Sequence, residues 1–194
     1  VNTVNPASLS KLKQTVYTVG AEYEHVIYDA GRMRNTTNDV RFNYLIFSVP
    51  LSGKAAIQVG IAPYTVMGYT VYSYDSLLVD GALKGSLDYY TGNGGLNMGF
   101  ASFGIEAIKN LSIGVSAAYL YGETKRSTYN YLEDRLTNTK IQYTDWMRGA
   151  KFKFGVNYNT ALKDNIRLYL GATYEFTAGM KNDREYMRYT VVNY

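Results

Sequence analysis

The sequence predicts an all-β protein, specifically an antiparallel transmembrane β-barrel with about eight strands. Apolar residues alternate with small or polar residues over stretches of ten residues or more, a period of two that is typical of strands. Such strands exceed the roughly 5 to 6 residues usual in globular sheets and match the roughly 9 to 11 tilted residues that cross a bilayer. The chain also carries 21 Tyr, 18 Gly, 3 Pro and no Cys, and abundant tyrosine is typical of the aromatic girdles of membrane barrels.

The composition argues against several other classes of protein. No run of about 18 consecutive apolar residues is present, which excludes helical membrane spans. The formal net charge is +4, and Lys and Arg form no patch or run, so we expect no nucleic-acid partner. With one His, at position 25, and no Cys, neither a metal site nor a Ser-His-Asp triad is expected. We therefore expect no enzymatic activity and no cofactor.

Residues 94–122 form the clearest predicted hairpin. In its second half every other residue is apolar, while the intervening positions include Ser112, Gly114 and Ser116; the apolar positions are Leu111, Ile113, Val115, Ala117, Tyr119 and Tyr121. A helix would scatter both sets around its circumference. Charge and a turn-forming Asn lie between the two apolar runs, at residues 107–110, so the chain is expected to reverse there.

The remaining elements follow in order along the chain. Residues 1–12 lack alternation and contain Pro6, so they are expected to be a lead-in segment before a barrel domain that covers residues 13–194. Strands are predicted over residues 15–28, 40–51, 55–74, 94–107, 111–122, 146–158 and 166–177, followed by a partial strand that ends at Tyr194.

The predicted connections alternate in length along the chain. Three are long and polar, at Asp29–Asp39, Asp75–Gly92 and Thr124–Tyr143, and the connections between them are short, at Ser52–Lys54, Ala107–Asn110 and Ala161–Asp164. A last connection is expected at Gly179–Arg184. Outer-membrane barrels alternate in this way, because short turns close one side and longer loops the other.

Charged and polar residues recur on the strand face opposite the apolar one. In a barrel this face lines the lumen, and the residues assigned to it are Glu22, Glu24, Arg41, Gln58, Lys151, Lys153, Arg167 and Glu175. The spacing of Glu22 and Glu24, about 7 Å along a strand, also fits a pair of glycosidase carboxylates. A charge network that fills or lines the interior explains the whole set, whereas a glycosidase explains only two of its members.

Pro63 interrupts the third predicted strand. Proline cannot donate to a strand ladder, so it marks an edge, a bulge or a break. Gly60 and Ala62 beside it are small, which would leave room for a lateral gap in a barrel wall. A bulge that only tunes the curvature of the wall explains Pro63 equally well.

Four segments together carry a family resemblance. They are the tripeptide Asn5-Pro6-Ala7, Phe47-Ser48-Val49-Pro50-Leu51, the Gly-Ile-Ala-Pro-Tyr segment over residues 60–64, and Lys109-Asn110-Leu111-Ser112-Ile113-Gly114. In this order they resemble the long-chain fatty acid transporters of the bacterial outer membrane, the FadL type. The resemblance implies that the chain is the end of an N-terminal hatch, with Asn5-Pro6-Ala7 as its motif, followed by the first half of a fourteen-stranded barrel.

Two functions follow from this resemblance. One is passive uptake of hydrophobic compounds such as long-chain fatty acids, which enter the lumen and leave laterally at the third strand, with outer-membrane lipid and the transported compound as partners. The other is a non-conducting subunit or docking partner in an envelope complex for protein export or barrel assembly. Bound lipid or detergent in an open lumen would favour uptake, whereas a plugged lumen with a partner on its outer face would favour the docking role.

Overall fold

The computed structural model describes residues 3–29, 31, 34–79, 81–132, 137–163 and 166–192. A short 3-10 helix, Pro6–Lys11, precedes seven strands: β1 (Val16–Asp29), β2 (Arg34–Ser52), β3 (Ala55–Val79), β4 (Ala82–Ile108), β5 (Leu111–Leu132), β6 (Thr137–Lys163) and β7 (Ile166–Val192). All seven lie in one antiparallel sheet in sequence order. The predicted all-β antiparallel fold is therefore confirmed. No helix in the described part of the chain is long and apolar enough to cross a membrane.

The predicted long loops are wrong, because most of their residues belong to strands. β2 begins at Arg34, β3 continues to Val79, β5 continues to Leu132 and β6 begins at Thr137. Polar residues in these stretches suggested loops, but a strand with water on one or both faces keeps its backbone ladder and carries polar side chains without cost. The strands are therefore longer than predicted.

The number of strands also differs from the prediction of about eight. A connection was expected at Gly179–Arg184, and Gly179 does adopt a φ of 56°, a conformation that favours glycine. However, β7 continues through it from Ile166 to Val192. The expected connection and the partial eighth strand as far as Val192 are thus parts of β7, whereas the predicted end of that strand at Tyr194 lies outside the described residues.

The register of the first three strands follows the predicted alternation. β1 pairs with β2 from Val16 opposite Ser48 to Asp29 opposite Arg34, with an irregularity between Gly20 and Ala21. β2 pairs with β3 so that Ser48 lies opposite Gln58. Both side chains are buried, and Gln58 Nε2 donates to Ser48 Oγ over 3.2 Å.

The chain divides into two compact units. Unit 1 comprises Val1–Pro63, Met98–Tyr119 and Ala150–Gly179, and unit 2 comprises Tyr64–Asn97, Leu120–Gly149 and Met180–Tyr194. In unit 1 the 3-10 helix lies on one face of the sheet, which we call the inner face. The residues buried there include Ala7, Leu9, Ser10, Ile46, Ala56 and Ser112.

The opposite, outer face of unit 1 is apolar and exposed. Along β5 and β6 every other side chain belongs to it, including Ile113, Val115, Tyr119, Phe154, Val156 and Tyr158. The sequence predicted this alternation, and the structure confirms it. The apolar series ends at Glu123 on β5 and at Arg148 on β6. This outer apolar band is about 11 residues long on β5, the length that a tilted strand needs to cross a bilayer.

The band predicts a depth-dependent response to a buried charge. Phe154→Arg near the middle of the band should lower the free energy of unfolding by about 2 to 4 kcal/mol, because the guanidinium would lie in hydrocarbon. Tyr121→Arg at the end of the band is the matched control and should cost at most about 1 kcal/mol. Denaturant unfolding in lipid vesicles measures both values. Equal losses at the two positions would contradict a membrane-crossing band.

Candidate functional site

The sequence motif Asn5-Pro6-Ala7 begins the 3-10 helix and fastens it to the sheet. Asn5 caps the helix, because its Oδ1 accepts from the Ala7 backbone N–H over 3.0 Å. Its Nδ2 donates to the Val156 carbonyl on β6, also over 3.0 Å. Pro6 occupies the first helical position, where a missing N–H costs nothing. Asn5 and Pro6 thus both favour the start of the helix at this point, and Ala7 is completely buried.

Three glycines on neighbouring strands allow this segment to approach the sheet closely. A Cβ added at Gly104 on β4 or Gly114 on β5 would overlap the backbone of Pro6, and one added at Gly155 on β6 would overlap the Asn5 side chain. We call Gly104, Gly114 and Gly155 the glycine track, and residues 5–11 the docked segment. Only glycine permits two backbones to come this close.

Polar contacts fix the other end of the docked segment. Ser10 and Ser112 share a hydrogen bond of 2.7 Å between their hydroxyl oxygens, and both are buried. Lys11 Nζ lies 3.0 Å from Glu106 Oε2. Glu106 Oε1 also accepts from the Asn110 backbone N–H over 3.0 Å, at the turn between β4 and β5. The docked segment is therefore held by buried hydrogen bonds and packing, with one partly exposed ion pair at its end.

Three of the predicted lumen residues come together beside the docked segment. Glu175 Oε1 lies 2.7 Å from Lys151 Nζ, and Glu175 Oε2 lies 3.1 Å from Lys153 Nζ. They line a cavity of about 110 Å³ whose other walls include Thr3, Met98, Phe100, Ser102 and Ser116. Lys153 Nζ also lies 3.5 Å from the Thr3 carbonyl oxygen. This cavity lies on the inner face, and its charged side chains bind one another.

The other predicted lumen residues lie apart from this cavity. Arg41 forms ion pairs with Glu24 and with Asp39, and Asn43 donates to Glu22 over 3.3 Å. Arg167 is exposed on β7. Glu22 and Glu24 thus have separate partners. Gln58 is buried against Ser48, as described above. Within the described residues, no group of three or more His, Cys, Asp or Glu side chains could hold a metal ion.

The predicted lateral gap falls in a continuous stretch of β3. The strand runs through Ala62 and Pro63 from Ala55 to Val79. Gly60 is covered, because an added Cβ would lie 2.7 Å from the Phe100 ring and 2.9 Å from the Leu45 carbonyl oxygen. The space beside Gly60 is therefore filled by an aromatic side chain, and the gap stays a prediction from the sequence.

Unit 2 contains a buried carboxylate that joins three strands. Asp145 on β6 is 3% exposed. Its Oδ1 accepts from Arg184 Nε over 2.6 Å and from Asn182 over 3.1 Å, both on β7, and its Oδ2 accepts from Arg126 on β5 over 2.9 Å. The hydrogen bond from Arg184 lowers the pKa of Asp145 to about 2, against the opposing effect of burial. Asp145 precedes Arg148 on β6 and so lies outside the outer apolar band.

An aromatic row crosses five strands of unit 2. The ring of Tyr89 lies 4.8 Å from that of Tyr72 and 5.3 Å from that of Tyr129. Lys140 Nζ lies 4.9 Å from the Tyr129 ring centre and 5.6 Å from that of Tyr189. Sequence reasoning missed both this row and the Asp145 network, because most of their residues fell in predicted loops. Two Tyr residues spaced two apart, at 129 and 131, were the available strand signal.

The glycine track predicts that a side chain at position 114 displaces the docked segment. Gly114→Val should expose residues 3–12, because the new side chain would overlap Pro6 and Ala7. Faster cleavage of this segment by an added protease, followed by mass spectrometry, measures the effect. Gly99→Val on β4 is the control, since a Cβ there meets nothing within 4 Å. Equal cleavage rates for both variants would rule out this role for the track.

The Asp145 network predicts a loss of stability on neutralisation. Asp145→Asn should lower the free energy of unfolding by about 1 to 2 kcal/mol, less than the largest values for charged hydrogen bonds, because both arginines are about half exposed. A lowered pKa means that the contribution is complete above about pH 4 and is lost as the pH falls toward 2. Asp183→Asn, in an exposed pair with Arg148, is the control and should change stability by less than about 1 kcal/mol.

Comparison with known proteins gives one partial match to a curated protein. The trigger factor of Synechococcus sp. (strain CC9902) is 36% identical over 111 residues. The alignment covers 57% of this chain, which spans only 23% of the length of that trigger factor. A match over so small a part of that protein does not define the family of this chain. No solved structure matches the chain.

A family model matches almost the complete chain. The matched residues are 1–193, and the family is BamG, which is related to barrel assembly. The resemblance to FadL-type fatty acid transporters is therefore wrong, and the uptake of fatty acids that it implied has no support. The short motifs that carried it cover a small part of the chain, whereas the family model covers nearly all of it. The chain belongs to the BamG family.

Proposed function

We propose that the chain is a non-enzymatic subunit of an envelope complex that assembles outer-membrane barrels, where it docks onto other proteins and conducts nothing. Membership of a family related to barrel assembly supports the envelope complex and an outer-membrane association. The docking role rests on one observation in unit 1. The chain's own docked segment covers the part of the inner face of β4 to β7 that lies at the glycine track and Gly171.

The covered inner face argues against a conduit. A path for a solute along this face would have to displace residues 5–7 from the glycine track, break the bond from Asn5 to Val156 and expose Ala7 and Leu9, which are 0% and 3% exposed. Each buried apolar side chain that moves into water costs about 1 kcal/mol or more. The segment is therefore a permanent part of unit 1 in this proposal.

The outer face supports a membrane position for unit 1. The outer apolar band has the length of a bilayer crossing, and ionised pairs follow it along the strands, such as Lys125 with Glu123 over 2.5 Å and Arg148 with Asp183 over 3.1 Å. Trp146 Nε1 donates to Glu123 over 2.9 Å, an arrangement typical of the membrane interface, where the indole ring is apolar and its N–H is hydrated. Unit 2 is held together by its own polar and aromatic cross-strand contacts, and in this proposal it contacts other envelope proteins.

The proposal is tested by purifying the protein, together with whatever it binds, from the cells that produce it. A tagged copy, extracted in mild detergent after crosslinking, should retain proteins of the barrel-assembly machinery in fixed proportion through two purification steps. The same protein is then purified alone and placed in vesicles. These vesicles should take up sugars and fatty acids no faster than empty vesicles do.

Two results would contradict the proposal. One is a purified chain that retains no barrel-assembly protein. The other is a flux of solute into vesicles with the unchanged protein that exceeds the rate of empty vesicles, together with a further rise when Gly114→Val displaces the docked segment. A flux seen only in the Gly114→Val variant would support the docked segment as the element that closes the inner face.

A further inference from the structure

A depression lies on the outer face of unit 1 across strands β3 to β6. Its volume is about 530 Å³. Ala101 on β4 and Ala117 on β5 contribute only a methyl group each, so the larger neighbouring side chains rise above them; these neighbours are Ile57, Val59, Phe103, Val115, Phe152 and Phe154. We call this depression the alanine groove.

The surface of the alanine groove is almost entirely carbon. The polar residues at its base turn their side chains to the inner face, where Gln58 donates to Ser48 over 3.2 Å and Ser102 bonds to Ser116 over 2.8 Å. An occupant with unpaired N–H or C=O groups would find no partner, and in an apolar setting each such group costs several kcal/mol. This chemistry excludes an extended peptide and favours a hydrocarbon.

The position of the groove agrees with a hydrocarbon occupant. Ala117 lies seven residues after Asn110, at the turn that begins β5, and six residues before Glu123, where the apolar series ends. It is therefore near the middle of the outer apolar band. Acyl chains of lipids are the only abundant hydrocarbon at that depth of a membrane.

One wall of the groove is preorganised by aromatic contacts. The Phe176 ring on β7 stacks against Phe152 with a centroid separation of 5.4 Å and against Phe154 with one of 6.3 Å. Such pairs hold the rings in place, so a ligand that binds between them loses little further side-chain freedom. A shallow lipid-facing surface without this wall would offer an acyl chain no fixed position.

We propose that the alanine groove is a binding site for one acyl chain of a membrane lipid, which it holds in preference to the surrounding lipids. The site lies outside the proposed docking role and depends only on the membrane position of unit 1. Binding is by van der Waals packing of the chain on Ala101 and Ala117 between the phenylalanine rings.

Quenching of tryptophan by lipids with dibrominated acyl chains tests the site. Trp146 is the single tryptophan of the chain, so Trp146→Phe gives a background without fluorescence from tryptophan. In this background Phe154→Trp reports on the groove wall. Tyr174→Trp on β7 is the matched reporter, because Tyr174 is exposed and does not line the groove. Both proteins are placed in phosphatidylcholine vesicles that contain a rising fraction of the brominated lipid.

The groove reporter should reach half of its maximal quenching at about a threefold lower fraction of brominated lipid than the Tyr174→Trp reporter. This is the preference that packing contacts alone can support in a membrane. Adding Ala117→Phe, or separately Ala101→Phe, should fill the groove and return the Phe154→Trp reporter to the curve of the control. Using two filling variants keeps the test valid if one of them does not fold, as judged by circular dichroism.

Three outcomes would overturn the inference. Identical quenching curves for the two reporters would mean that the groove meets only the ordinary lipid layer. Absence of quenching at the groove, with normal quenching of the control, would mean that protein covers it. Unchanged quenching in both folded filling variants would place the bound chain elsewhere. Because none of these results depends on a barrel-assembly partner, failure here is distinguishable from failure of the proposed function.

Discussion

The close approach of the docked segment to the glycine track is the contact on which unit 1 depends. The small side chains on the inner face of this sheet would leave space above the strands, which either water or another part of the chain must fill. Small residues on β4 to β6 make this possible by letting the Pro6 backbone lie directly on the strands. Asn5 then supplies its own hydrogen bonds to Ala7 and to β6. Seven residues of the chain itself thus cover the inner face at the glycine track, beside the cavity lined by Lys151, Lys153 and Glu175.

Because of this contact, the two faces of unit 1 differ in the side chains that remain available for binding. On the inner face Ser10, Ser112, Lys151 and Glu175 have all found protein partners. On the outer face the large side chains remain 40% to 60% exposed in positions such as Phe154, Val115 and Tyr119. A partner on this outer face of unit 1 would therefore meet mostly carbon, and exposed apolar patches of this kind mark membrane or protein contacts.

Alternation along single strands could be predicted from the sequence, whereas contacts between distant segments could not. The period of two over residues 111–121 places Ser112 and Gly114 on one face and Ile113 and Val115 on the other, as found. The alternation also places Gly114 and Gly155 opposite the apolar faces of their own strands. It does not indicate that Pro6 lies on them, because a glycine in the sequence shows that a side chain is missing but not which segment occupies the space. Likewise, pairing Asp145 with Arg184 requires the register between β6 and β7, which one sequence does not contain.

The prediction of long loops was wrong for a physical reason that concerns the strands of unit 2. Residues 75–92 and 124–143 are rich in polar side chains, which suggested loops because a strand in a bilayer must turn apolar groups to the lipid. A strand that does not face lipid has no such requirement. In unit 2 the strands carry polar side chains, and contacts between these side chains join neighbouring strands. On one face Asp145 joins β5, β6 and β7 through charged hydrogen bonds, and elsewhere in the unit the tyrosine row links β3, β4 and β5. These cross-strand contacts stabilise the hairpins of unit 2, and they do not require lipid to do so. Unit 2 is thus stabilised by contacts between distant segments, which the alternation along single strands does not reveal.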